Sequence, residues 1–148
     1  MKLDVVRIFG AVALVTAGYV AGRISGNDAV TAAGQEPGTR VFELRTYTTH
    51  PGKLDALHTR FRNHTTRLFE KHGMTNIVYL APMDSPQSEN TLIYLLAHKS
   101  REAAKASFAA FRSDPDWLKV RTESEAAGPI VIKVDSVFLT PTDYSPMK

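Results

Sequence analysis

With 148 residues the chain has room for one folded domain rather than two, and its 43% hydrophobic and 22% charged residues set global disorder aside. The absence of cysteine excludes a disulfide framework, a thiolate metal site and a thiol nucleophile. A net charge of only +3, with no basic block interleaved with aromatics, argues against nucleic-acid binding.

The chain opens with Lys2 and Arg7, followed by an uncharged run from Ile8 to Gly22 that Arg23 ends. A basic start before a short apolar stretch is the pattern of a secretory signal peptide. The stretch is short for a membrane span, although including Ile24 with a snorkelling Arg23 would nearly suffice. Small residues at Val30-Thr31-Ala32-Ala33 suit a signal peptidase but lie far from the apolar core. Residues 1–33 therefore read as a signal peptide or an uncleaved membrane anchor with the start of a linker. Both readings carry the rest of the chain outside the cytoplasm, to a periplasmic or extracellular side. Gly34, Pro37 and Gly38 continue the linker to about residue 40.

The folded part is expected over residues 40–148. Val41 to Thr48 alternates and is rich in β-branched and aromatic residues, which predicts a strand that Pro51-Gly52 ends. Leu54, Leu57, Phe61 and Leu68, with Phe69 beside them, form one helical stripe. Gly73, after Lys71-His72, is placed to end that helix in the left-handed region. Thr75–Leu80 predicts a second strand, residues 81–90 a Pro-rich loop, and Thr91–His98 a third strand. The third is nearly continuous in hydrophobicity, so a central place in the sheet is expected. Ser100 is a natural N-cap for a helix through Arg112, with Ala104, Phe108 and Phe111 inward. Asp114-Pro115 reads as N-cap and N1 of a further short helix carrying Trp117, and Ile130–Leu139 as the last strand.

The order β-α-β-β-α-β is that of an α+β, ferredoxin-like fold: an antiparallel sheet with helices on one face. If Phe42, Leu44 and Thr46 face the helices, then Val41, Glu43, Arg45 and Tyr47 face away, with Val131, Lys133, Asp135 and Val137 as the matching row of the last strand. Such a half-apolar second face calls for a partner sheet, and hence for a homodimer.

Several segments resemble one family. Phe42-Glu43-Leu44-Arg45-Thr46-Tyr47 followed by Pro51-Gly52-Lys53, and the run from Phe61-Arg62-Asn63-His64-Thr65 to Glu70-Lys71-His72-Gly73-Met74, are similar to a NIPSNAP domain. Phe111-Arg112-Ser113-Asp114-Pro115-Asp116-Trp117 and the closing Leu139 to Pro146 extend the likeness, which covers nearly everything from residue 40 onward. The resemblance implies a dimeric α/β barrel, related in fold to small cofactor-free monooxygenases and stress-responsive barrel proteins. It implies little chemistry, since family members are mostly described as binding or scaffold proteins. Many carry two such repeats, and self-pairing would supply the half that this chain lacks. Fold kinship alone is an associational argument about function.

Three groups of residues are candidates for a site. Glu43, Arg45, Tyr47, Lys133 and Asp135 would meet if the first and last strands are neighbours. Arg45 and Tyr47 could then polarise a carbonyl or phenol in a closed barrel, or the charges could simply pair across strands. His64 falls in register with the first helix's apolar stripe, which would point it at the sheet as a general base or ligand contact, or as an ordinary core histidine. His98 at the end of the third strand is a second such position. Tyr79, Tyr94, Phe108, Phe111 and Trp117 would wall a small apolar pocket or fill the core. His58, His64 and His72 lack the i, i+4 spacing of a helical zinc pair, so no metal is expected. No glycine-rich phosphate loop or nucleophile elbow occurs, so neither a nucleotide cofactor nor covalent hydrolysis is expected.

The leading expectation is an exported homodimeric module that binds a small apolar ligand or a protein partner. The alternative is a cofactor-independent enzyme, monooxygenase- or isomerase-like, acting on a small apolar or aromatic substrate. There His64 or Tyr47 would be the base and Arg45 the anion-stabilising group, with Glu43, Tyr79, Tyr94, His98 and Trp117 contacting the ligand. A third expectation is a subunit that pairs only with a longer partner.

Overall fold

The computed structural model describes residues 40–148; the leader and linker readings lie outside the described residues. Four strands, β1 (Val41–Thr49), β2 (Thr75–Leu80), β3 (Thr91–His98) and β4 (Val131–Leu139), form one antiparallel sheet in the order β2-β3-β1-β4. Helices α1 (Leu54–Arg60), α2 (Thr66–Lys71), α3 (Arg101–Ser113) and α4 (Pro115–Ser124) pack on one of its faces. This is the expected βαββαβ topology, with β3 in an interior position. Among the described residues no helix is long and apolar enough to cross a membrane.

Local chemistry sets the helix ends. The Gly73 N–H donates to the Glu70 carbonyl and the Met74 N–H to the Phe69 carbonyl. These two bonds satisfy carbonyls the helix would otherwise leave open, and they require the positive φ of 75° that glycine takes at no steric cost. The same turn seats Met74 and Phe69 in the core. Ser100 Oγ accepts from the Ala103 N–H at 3.1 Å, capping α3. Asp114 Oδ1 accepts from the Asp116 N–H at 2.8 Å, capping α4, with Pro115 in its first turn.

Between α1 and α2 the helix carries a π turn over Phe61–Thr65, in which the Thr66 N–H reaches the Phe61 carbonyl. The extra residue shifts the inward row to Leu57, Phe61, Thr65, Leu68 and Phe69. His64 is thereby turned off the sheet-facing stripe and is only half-buried, contrary to its expected position.

The faces of β1 are the reverse of those expected. Strand partners share a face in an antiparallel pair, and Glu43, Arg45 and Tyr47 stand opposite Leu96, Tyr94 and Leu92 of β3. These β3 residues are covered by the helices and at most 3% exposed. Glu43, Arg45 and Tyr47 therefore point at the helices, and Phe42, Leu44 and Thr46 at the open face. Lys133, Asp135 and Val137 do lie on the open face, opposite Thr48, Thr46 and Leu44. A register shift between Thr48 and Thr49 separates Val131 from that row and puts it against the core. At one end of the open face, Phe42, Leu95 and Leu139 border Pro141, Ser145 and Met147 of the last segment. Arg40 fastens that segment by donating to the Lys148 carbonyl.

Candidate functional site

Beneath the helices, β1 carries a polar network in an otherwise apolar layer. Glu43 is 2% exposed. Its carboxylate accepts from Arg45 NH1 at 2.5 Å and from Ser136 Oγ at 2.5 Å, and lies 3.1 Å from His98 Nε2. Arg45 Nε donates to the Tyr94 hydroxyl at 3.0 Å, and its guanidinium lies over the Phe108 ring at 4.4 Å. Alternation on β1 places Glu43 and Arg45 two residues apart on one face, and pairing brings Tyr94 from β3 and Ser136 from β4 to either side of Arg45.

Burial alone would neutralise Glu43. The hydrogen bonds from His98 and Ser136 and the Arg45 charge outweigh it and hold the carboxyl below its ordinary value. Burial also works against the Arg45 charge, and Tyr94, Tyr47 and Glu43 outweigh it, so the guanidinium stays ionised. The Tyr94 hydroxyl is pushed well above its usual value, chiefly by burial, and stays protonated. Among the described residues two of the five guanidinium N–H groups are engaged, by Glu43 and Tyr94, which leaves three.

Those remaining donors border a cavity of about 200 Å³ between sheet and helices. Phe61, Phe108, Phe111, Trp117 and Val134 form its apolar walls, and Tyr47 lies beside Arg45. Arg60, Arg112, Arg121 and Glu125 line it as well. Arg60 NH1 reaches Glu125 Oε1 at 2.9 Å, and the Arg60 guanidinium lies 5.3 Å from the centre of the Trp117 ring. Trp117 in turn packs on Phe111 at 4.4 Å between ring centres. An apolar slot with a fixed guanidinium fork at one wall suits a flat apolar molecule bearing a carboxylate, phenolate or carbonyl oxygen.

The expected site residues divide accordingly. Arg45, Tyr47 and Trp117 line the cavity, and Glu43, Tyr94 and His98 form the network that orients Arg45. Tyr79 stacks on Tyr94 at 5.4 Å and donates to Asn76 Oδ1, so it supports Tyr94 from behind. His64 opens into a different groove with Ala56, Thr59 and Val120. Lys133 and Asp135 pair with each other at 2.8 Å on the open face, away from Arg45. Ser136, Arg60 and Arg112 escaped the reading of the sequence. Ser136 had a signal, because it alternates with Asp135 and Val137 and so shares the face of Val134 and Phe138. Arg60 and Arg112 had none, since arginines flanking an apolar stripe look like solvated surface.

The NIPSNAP family model matches residues 42–146. Among solved structures, a NIPSNAP-like domain protein from Burkholderia xenovorans is similar at 18% identity, over 73% of this chain and 90% of that one, with a TM-score of 0.63. A NIPSNAP family protein of unknown function from Agrobacterium tumefaciens is similar at 18% identity, over 74% of this chain and 95% of that one, with a TM-score of 0.64. At these identities the likeness speaks for the fold alone. No curated protein matches the sequence significantly. With a family match spanning most of the chain and the same fold in solved members, this chain belongs to the NIPSNAP family.

Proposed function

We propose that residues 40–148 act as an exported, homodimeric module that binds a small apolar or aromatic molecule carrying one anionic or acceptor oxygen. The observation that carries this reading is Arg45, held by Glu43 and Tyr94 with three N–H groups left over, at the wall of a cavity lined by Phe61, Phe108, Phe111 and Trp117. Export is supported by the basic start and uncharged apolar run of the leader. Pairing of two sheets is supported by the open face, where Val137 and Leu139 are 54% and 40% exposed beside half-buried Leu44, Ile93 and Leu95. Of the two bases the enzymatic alternative would use, His64 opens elsewhere and Tyr47 lines the cavity beside Arg45, so that alternative now turns on Tyr47 alone.

Trp117 is the chain's sole tryptophan and lines the cavity, so its fluorescence reports occupancy. Titration of the full-length protein with 2-naphthoate should quench it saturably. Arg45→Met should weaken binding about 10- to 100-fold, the loss expected for one charge-assisted hydrogen-bonded contact. Unchanged affinity in Arg45→Met, or no quenching at all, would remove the cavity as the binding site. Oxidation or isomerisation of bound aromatic probes without added cofactor would bring the enzymatic reading forward.

A further inference from the structure

Arg45 borders a second space as well. On the far side of Arg45, Phe108 and Arg112, which line both spaces, a wider crevice of about 530 Å³ runs between α3 and β4. Its walls carry Arg45, Arg101, Lys105 and Arg112 against a single carboxylate, Glu102. Arg101, Lys105, Phe108 and Arg112 are spaced at i, i+4, i+7 and i+11, so they form one stripe along α3. Among the described residues Arg101, Lys105 and Arg112 form no ion pair. Arg101 is braced instead by the Phe138 ring, 4.6 Å from the ring centre.

We propose that this crevice is a second subsite of the same ligand, taking a phosphate-bearing tail whose apolar head occupies the inner cavity. The inference rests on the ligand-binding reading above and extends it to a class of molecule: an aromatic or acyl head joined to a phosphate ester. Arg45 is already paired with Glu43, so Arg101, Lys105 and Arg112 against Glu102 leave an excess of about two positive charges, better matched by a phosphate monoester than by a single carboxylate. The planar forks of Arg101 and Arg112 suit phosphate oxygens, which they can approach two at a time. A concave space that shares Arg45, Phe108 and Arg112 with an apolar cavity favours a small two-part molecule over an extended polyanion.

The test compares 6-(2-naphthyloxy)hexyl phosphate with 6-(2-naphthyloxy)hexanol, which shares its head and linker, on the full-length protein by Trp117 quenching. The phosphate should bind at least about tenfold more tightly at low salt and lose most of that advantage in 0.5 M salt, the scale of one or two charge-assisted contacts. In the double variant Arg101→Gln/Lys105→Gln the phosphate should fall to the affinity of the alcohol, with the alcohol in the same variant as the control for folding and head binding. Equal affinity of the two probes in the native protein would overturn the tail subsite and leave the inner cavity standing. An advantage for the phosphate that survives the double variant would overturn it too, by placing the phosphate elsewhere. Failure of both probes to bind would sink the cavity reading and this inference with it. A single-stranded oligonucleotide that binds more tightly than the phosphate, and is released by the double variant, would overturn the small-molecule assignment.

Discussion

Strands β1 and β4 are neighbours in one sheet, paired from Phe42–Leu139 to Thr49–Val131, and both mix apolar with polar side chains. Yet on the helix side Val41 and Glu43 of β1 are 6% and 2% exposed, while Val134 of β4 is 42% exposed. The difference lies in what covers them. The helices lie over β3 and β1, with β1 flanked on both sides, whereas β4 is an edge strand with a crevice between it and α3. Two paired neighbours thus differ, with a buried polar network on one strand and exposed apolar side chains on the other. Both consequences bear on function, because β1 supplies the fixed guanidinium and β4 the uncovered surface.

The contrast can be broken from either strand. Glu43→Ala should have the largest effect, about 3 kcal/mol of lost stability in urea unfolding, because it strands Arg45 and leaves His98 and Ser136 without their partner. A loss below about 1 kcal/mol would mean that water enters the network as it would at an exposed pair. The same carboxylate sets an acid dependence. Its folded value lies below the ordinary 4.5, so its contribution is fully present above that value and is lost as pH falls through the lower folded one. Unfolding midpoints that are flat from pH 5 down to pH 3 would contradict this.

On β4, Val137→Asp should weaken self-association at least about 100-fold in light scattering, through a charge set on the open apolar face. The same variant should leave unfolding of the dissociated chain within about 0.5 kcal/mol, as for other exposed positions. Self-association that survives the aspartate would separate the exposed apolar surface from dimerisation. Ser136→Ala removes one of the three groups around Glu43 and should cost about 1 kcal/mol, clearly less than Glu43→Ala at the other end of the same bond. Lys133→Ala should be smallest, within about 0.5 kcal/mol, because its pair with Asp135 joins side chains 64% and 50% exposed. A larger loss at Lys133 would mean that the open face is already covered by a partner.

Turns and helix ends were legible in the sequence because each is closed by residues a few positions apart. Gly73, Ser100 and Asp114-Pro115 act through bonds to their own backbone neighbourhood, and each acts as expected. The order of elements and the interior place of β3 were legible for a similar reason, since period and run length are local properties. Several residues singled out in the sequence also lie together in the fold: Arg45, Tyr47 and Trp117 line one cavity, and Glu43, Tyr94 and His98 share the network behind it. The side of the sheet on which they act was not legible. Phe42-Leu44-Thr46 is the more apolar row of β1 taken alone, and it would be the inward one if strands folded alone.

What the sequence by itself determined is the βαββαβ order, the capped helix ends and the family, because these depend on neighbours along the chain. Only the tertiary structure decided which face of β1 meets the helices, because that depends on Leu92, Tyr94 and Leu96 of β3 lying some fifty residues away. The tertiary structure also decided that His64 leaves the site, through one extra residue in a π turn, and that Arg112 and Arg101 line a crevice rather than a plain surface. In each case the pattern along the chain favours or allows a different arrangement, and packing in the folded chain decides between them.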